Sequence, residues 1–237
     1  MIALRHAVFG YGTGALFPPL SGRFNRGSLT AVIGSNGAGK STLLKTIAGL
    51  LPLQGGRIDY GDSKFPSIAY LPQQAELDRQ FPVVVNDVVA MGCWRRWGML
   101  GGLTASARAQ IAEALATVGM SQMTHAPVSE LSGGQLQRVL FARLLTQQAP
   151  LILLDEPFTG IDSATIGLLL RVIARLHQQG KTVIAVLHDM AMVAGHFPQA
   201  LLLTQHECHW GDADRVLAQL PLLHAANASV SRIKVVS

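Results

Sequence analysis

The stretch that most restricts the fold runs from Leu29-Thr-Ala-Val-Ile33 into Gly34-Ser-Asn-Gly-Ala-Gly-Lys40-Ser41-Thr42. An apolar run of strand length passes into a glycine-rich turn. Ser41 to Leu50 follows with helical apolar spacing, and Pro52 is expected to stop it. The spacing G-x-x-x-x-G-K-[ST] between a strand and a helix is that of a phosphate-binding loop. The backbone N–H groups of Gly34, Ser35, Asn36, Gly37, Ala38, Gly39, Lys40, Ser41 and Thr42 can form an anion cradle, reinforced by the helix N-terminus. Lys40 adds a compact positive charge for β- and γ-phosphates, and the Ser41 hydroxyl can ligate Mg²⁺.

Two more buried-type strands, Leu151 to Leu154 and Val183 to Leu187, alternate with helical patterns. Asp162 or Ser163 can cap a helix running to about Gln178, with Gly180 past its end. Arg57 to Tyr60 and Ser67 to Leu71 read as short strands, and Ala105 to Val118 as a helix with Ile111, Leu115 and Val118 on one face. Such alternation predicts an α/β fold with a parallel sheet covered on both faces. Residues 86–146 lack buried strands and read as an inserted helical subdomain.

Bulk properties exclude several classes. With 49% hydrophobic and 14% charged residues over 237 positions, the chain can build a large core and is not of disordered composition. The formal charge is mild, 19 − 14 = +5, and the densest basic spot is Arg95-Arg96, so no nucleic-acid partner is expected. Met1 to His6 lacks the pattern of a secretory leader, and no run approaches the ~20 apolar residues that cross a bilayer. Cys93 and Cys208 are far apart, which fits free thiols in a reducing cytosol.

Carboxylates at a strand end complete the chemistry. Asp155 and Glu156 close the run from Leu151; Asp155 can hold a Mg²⁺ shell, and Glu156, pointing elsewhere, can polarise a water. His188 follows the strand Val183 to Leu187, at the edge where ligands bind in open α/β sheets, and could reach a γ-phosphate or order the water; taken alone it reads as a satisfied strand-end histidine. Gln73 could touch Mg²⁺ or water, or simply sit in a turn. Tyr11, among Gly10, Gly12 and Gly14, could stack on a base or pack. Leu131-Ser132-Gly133-Gly134-Gln135 has capping-box spacing from Ser132 to Gln135. The two glycines exceed what capping needs, and they suit close approach of an anion to bare backbone.

Tyr11, Gly34–Thr42, Gln73, LSGGQ at 131–135, Asp155-Glu156, Ile161-Asp162 and His188, in this order, resemble an ATP-binding cassette (ABC) ATPase over almost the whole chain. The resemblance implies a P-loop NTPase fold with a RecA-like parallel-sheet core, 1–85 and 147–237. An N-terminal antiparallel β subdomain and a helical signature subdomain, 86–146, would join it in one domain over 1–237. It implies ATP and Mg²⁺ as ligands, with Ser41, Gln73 and Asp155 at the metal. Tyr11 would stack on adenine, Glu156 would be the general base, and His188 would clamp the γ-phosphate. Ser132, Gly133, Gly134 and Gln135 would meet ATP held by a second, head-to-tail copy, with Asp162 at the seam.

A free-standing single cassette resembles the energising subunit of a bacterial importer, at the cytoplasmic face of the membrane. An integral membrane permease and a solute-binding protein would then be separate chains. Tyr70 to Asp78, Phe81-Pro82-Val83 and Val88 to Gly92, with Trp94 to Gly98 after them, are similar to manganese/zinc/iron-type importer cassettes. Haem and siderophore cassettes share parts of this pattern, and a non-transport cassette ATPase would keep Lys40 and Glu156. His206, Glu207, Cys208 and His209 lie too close together for one ordinary tetrahedral metal site.

Overall fold

The computed structural model describes residues 1–11, 14–15, 18–61, 65–73, 82–94, 103–204 and 207–220. Parallel strands β5 (Leu29–Gly34), β7 (Ile68–Leu71), β8 (Leu151–Asp155), β9 (Thr182–Val186) and β10 (Gln199–Leu203) form one sheet, in the order β10-β5-β9-β8-β7. Strand β11 (Cys208–Asp212) joins β10 antiparallel at the edge. A second sheet is antiparallel, with β1 (Ile2–Val8) between β4 (Leu20–Phe24) and β6 (Gly55–Asp59). Gly10–Tyr11 (β2) and Gly14–Ala15 (β3) make a short ladder. The Tyr11 ring lies outside the described side chains, as do Gln74 to Asp78, Phe81, Arg95 to Gly98 and His206.

The continuous apolar runs follow from burial on both faces of the parallel sheet. Leu29, Ala31, Ile33, Ile152, Leu154, Val183 and Ala185 face one core with the helices, while Val32, Leu151, Leu153, Ile184 and Val186 face another with Ile2, Leu4, Leu20 and Phe24 of the antiparallel sheet. Helix α1 (Lys40–Ile47) buries Leu43, Leu44 and Ile47 in that second core. It ends before Pro52 is reached. Gly49 takes φ +73° and the Leu50 N–H returns to the Lys45 carbonyl, so the glycine terminates the helix rather than the proline.

Between β7 and β8 the described residues carry α2 (Val85–Ala90), α3 (Ala105–Thr117) and α4 (Gly133–Thr146), which pack on one another through Val88, Val89, Ile111, Leu115, Val139 and Leu140. The turn after α2 approaches α4 closely: a Cβ on Gly92 would collide with the Thr146 hydroxyl and the Arg143 carbonyl. Helix α5 (Ser163–Gln178) is capped by Asp162, whose side chain accepts from the Thr165 N–H, and α6 (Met190–His196) by Asp189. Among the described residues, no helix is long and apolar enough to cross a membrane.

Candidate active site

The register of the parallel sheet brings the predicted chemistry to one edge. Strands β5, β9, β8 and β7 are neighbours, so the segments leaving their C-terminal ends meet: the loop from Gly34, then His188, Asp155 with Glu156, and Gln73. Together they enclose an open cleft of about 790 Å³ that Asn36, Gly37, Lys40, Ser41, Gln73, Glu156, Thr159 and His188 help to line.

The loop is shaped by its neighbours. Gly34 has φ +149°, and a Cβ there would collide with the Leu203 carbonyl of β10, so only glycine fits. Lys40 is buried, and its Nζ donates to the carbonyls of Gly34 (2.9 Å) and Ser35 (2.8 Å). Burial lowers the Lys40 pKa, and the carboxylates of Glu156 and Asp155 oppose that shift. The ammonium is therefore held at the loop with carbonyl partners that an anion can replace.

Asp155 is 1% exposed. The Ser41 hydroxyl donates to its Oδ1 at 2.9 Å and the Tyr70 hydroxyl to its Oδ2 at 3.3 Å. Burial raises its pKa, and these two bonds and Lys45 pull it back. A buried carboxylate beside a serine oxygen is a hard-oxygen donor pair that suits Mg²⁺. Among the described residues, no group of three His, Cys, Asp or Glu could hold a metal ion.

Glu156 is gripped from three sides. His188 Nε2 lies 2.6 Å from Oε1, Gln73 Nε2 donates to Oε2 at 2.8 Å, and the Thr159 hydroxyl donates to Oε2 at 3.3 Å. Its backbone takes φ +49°, a left-handed conformation that costs a residue with a β-carbon about 1–3 kcal/mol. The Glu156 N–H donates to the Val186 carbonyl of β9, which ties the strained residue to the sheet. A carboxylate fixed this way at a phosphate cleft can accept a proton from water.

The sequence reading missed Tyr70 and Thr159. Each is an ordinary residue near a motif: the pairing of β7 with β8 brings Tyr70 to Asp155, and the turn after β8 folds Thr159 back onto Glu156 three residues before it.

The LSGGQ segment lies elsewhere: none of Ser132, Gly133, Gly134 or Gln135 lines the cleft among the described residues. The capping box is present in full, with Ser132 Oγ accepting from the Gln135 N–H and Gln135 Oε1 from the Ser132 N–H. The two glycines have different surroundings. A Cβ on Gly134 would stand 3.0 Å from Asp162 Oδ2 and 3.2 Å from Thr165 Oγ1, whereas on Gly133 it would meet only the Gly160 carbonyl, at 3.8 Å. Packing therefore accounts for Gly134, and Gly133 is left exposed without an internal reason. Asp162 is at the surface, and the Thr165 N–H holds its pKa below the usual carboxylate range. His209 of the sequence cluster lies on β11, with Nε2 3.3 Å from Glu207 Oε1.

Comparison with known proteins agrees with this geometry. The family model for the ABC transporter matches residues 17–159. The zinc transport system ATP-binding protein TroB of Treponema pallidum is 44% identical over 187 residues, 76% of this chain and 70% of that protein. The manganese transport system ATP-binding protein MntB of Bacillus subtilis is 38% identical over 223 residues, 91% and 88% of the two chains. The solved structure of cbiO1 from Clostridium perfringens, part of the ABC transporter complex cbiONQ, superposes with a TM-score of 0.77 at 25% identity, covering 98% of this chain and 96% of that one. The chain belongs to the ABC transporter family, as one of its ATP-binding, ATP-hydrolysing cassettes.

Proposed function

We propose that this cassette energises the uptake of a divalent first-row metal ion, working as a head-to-tail pair against a membrane permease. A separate solute-binding protein delivers the cargo, and the cassette sits at the cytoplasmic face. The cargo reading is supported by the printed roles of TroB and MntB, zinc and manganese transport. The observation that carries the catalytic reading is the triply held Glu156 facing Lys40 and Ser41 across the cleft.

ATP binds with its phosphates in the cradle Gly34–Thr42, and Lys40 turns its ammonium from loop carbonyls to β- and γ-phosphate oxygens. Ser41 and Asp155, with Gln73 nearby, would hold Mg²⁺, which when bound neutralises charge on the phosphate oxygens. Glu156 takes the proton of the attacking water. His188, Gln73 and Thr159 fix the direction of its lone pairs, and His188 also meets the γ-phosphate. Tyr11 stacks on adenine. Ser132, Gly133, Gly134 and Gln135 of one copy close over ATP in the other, with Asp162 at the seam. Exposed Gly133 supports that placement, because nothing in its own chain needs a glycine there.

The test is whole-cell metal content under metal limitation, with native protein and with Glu156→Gln. A selective fall of manganese, zinc or iron in the mutant is expected. Unchanged levels of all three would remove the metal reading in favour of haem, a siderophore or a role outside transport. On a sizing column with MgATP, Glu156→Gln should run as a dimer; a monomer would refute the composite site.

A further inference from the structure

Helix α4 does more than present its N-terminus. Gln137 Nε2 donates to the Pro157 carbonyl at 2.7 Å, next to Glu156. One residue on, Arg138 Nη2 donates to Thr165 Oγ1 at 2.9 Å, and that hydroxyl donates to Asp162 Oδ2 at 2.8 Å. Gly134, lacking a Cβ, lets the first turn of α4 close against the same Asp162 and Thr165 atoms. The signature helix thus grips both ends of the turn 157–162, whose first neighbour is the left-handed Glu156 and whose last residue is Asp162.

We infer that Gln137 and Thr165 are positioning residues for hydrolysis. Through them α4 sets the turn 157–162, and a shift of α4 is passed to the Glu156 carboxylate and to Asp162. Thr165 is 1% exposed, so its hydroxyl answers only to these internal partners. A buried hydroxyl with one donor and one acceptor transmits displacement in either direction, because leaving either partner unpaired is costly. The inference rests on reading Glu156 as the base.

The experiment uses the full chain and three variants, Gln137→Leu, Thr165→Val and Thr165→Ser, with Glu156→Gln beside them. Steady-state ATP hydrolysis gives kcat and KM, calorimetric titration with MgADP gives nucleotide affinity, and a thermal scan gives Tm. Gln137→Leu and Thr165→Val should each lower kcat about ten- to a hundredfold, the cost of displacing a reacting group by up to an ångström. MgADP affinity should stay within about twofold, because the cradle at Gly34–Thr42 is untouched. Thr165→Ser, which keeps the hydroxyl, should restore kcat. A merely structural role would lower Tm and leave kcat in place, and that result would overturn the inference. If Thr165→Val does not fold, Gln137→Leu, whose side chain is half-buried, decides alone. The two readings fail separately. Full activity of Glu156→Gln sinks the base assignment, whereas an inactive Glu156→Gln beside fully active Gln137→Leu and Thr165→Val sinks only the positioning role.

Discussion

Replacing Gly133 by alanine separates the two reasons a glycine can stand at the start of α4. Neither Gly133 nor Gly134 has a positive φ, so backbone conformation demands neither. At Gly133 the new methyl would meet only the Gly160 carbonyl, at 3.8 Å, which is ordinary contact. Alanine is preferred to glycine in a helix by about 1 kcal/mol, less in the first turn, so a gain of roughly 0.5 kcal/mol is expected. For a chain of this size that is a rise in Tm of about 1–2 °C. If the backbone here meets the phosphate of ATP on a second copy, the methyl stands in the way of a charge-assisted hydrogen bond. Such bonds contribute about 1.5–3 kcal/mol, so kcat/KM should fall about ten- to a hundredfold. Differential scanning calorimetry of the isolated chain and an ATPase titration together make the test. A variant with raised Tm and full kcat/KM would refute the claim that an anion approaches Gly133. A Tm lower by several degrees would refute the packing argument.

Lys40→Met should abolish nucleotide binding yet raise the Tm of the nucleotide-free chain at pH 7. Burial holds the folded Lys40 pKa below its ordinary 10.5, so the folded chain binds this proton less tightly than the unfolded one. The stability penalty is therefore full where the ammonium is protonated, and it fades as pH rises through the lowered folded value toward 10.5. The variant's advantage should narrow over that window in parallel thermal scans. Gly92→Ala drives a methyl into the Thr146 hydroxyl and the Arg143 carbonyl, an overpacking that costs about 1–3 kcal/mol and should lower Tm by about 2–12 °C. Ser41→Ala should raise the Mg²⁺ concentration needed for half-maximal ATPase by about tenfold or more, and chelating Mg²⁺ should silence the native chain. Unaltered Mg²⁺ dependence in the serine variant would remove Ser41 from the metal shell.

The site was more legible in the sequence than the sheet that carries it. Leu29 to Ile33, Leu151 to Leu154 and Val183 to Leu187 declare themselves because strands buried on both faces need unbroken apolar runs. Strand β1 hides because its alternation breaks at His6, which sits at φ +49° in a bulge. Strand β4 carries Gly22, a poor strand residue, whose reason is the Trp210 ring lying where its Cβ would be. That ring belongs to β11, far along the chain, and no local pattern announces it. The same holds at the site. The motif residues Lys40, Asp155, Glu156 and His188 were readable by type and place. The grip of Tyr70 on Asp155 comes only from the pairing of β7 with β8, whereas Thr159 on Glu156 and Thr165 on Asp162 are contacts three residues apart whose geometry a tight turn and a helix cap settle.

The strand that launches the phosphate loop has both edges covered late. Strand β5 pairs with β9 on one side and with β10 on the other, and the Leu203 carbonyl forms the wall against which Gly34 turns. A ribosome emits Gly34–Thr42 long before it emits either neighbour. Until β9 has left the exit tunnel, β5 is an apolar strand with two open edges, and until residue 203 has followed it keeps one, the kind of surface that recruits other chains. The nucleotide cradle is thus among the first segments to be made and among the last to be finished. A ribosome-bound chain halted before β10 should be unable to hold ATP, although every residue of its phosphate-binding motif is already in place.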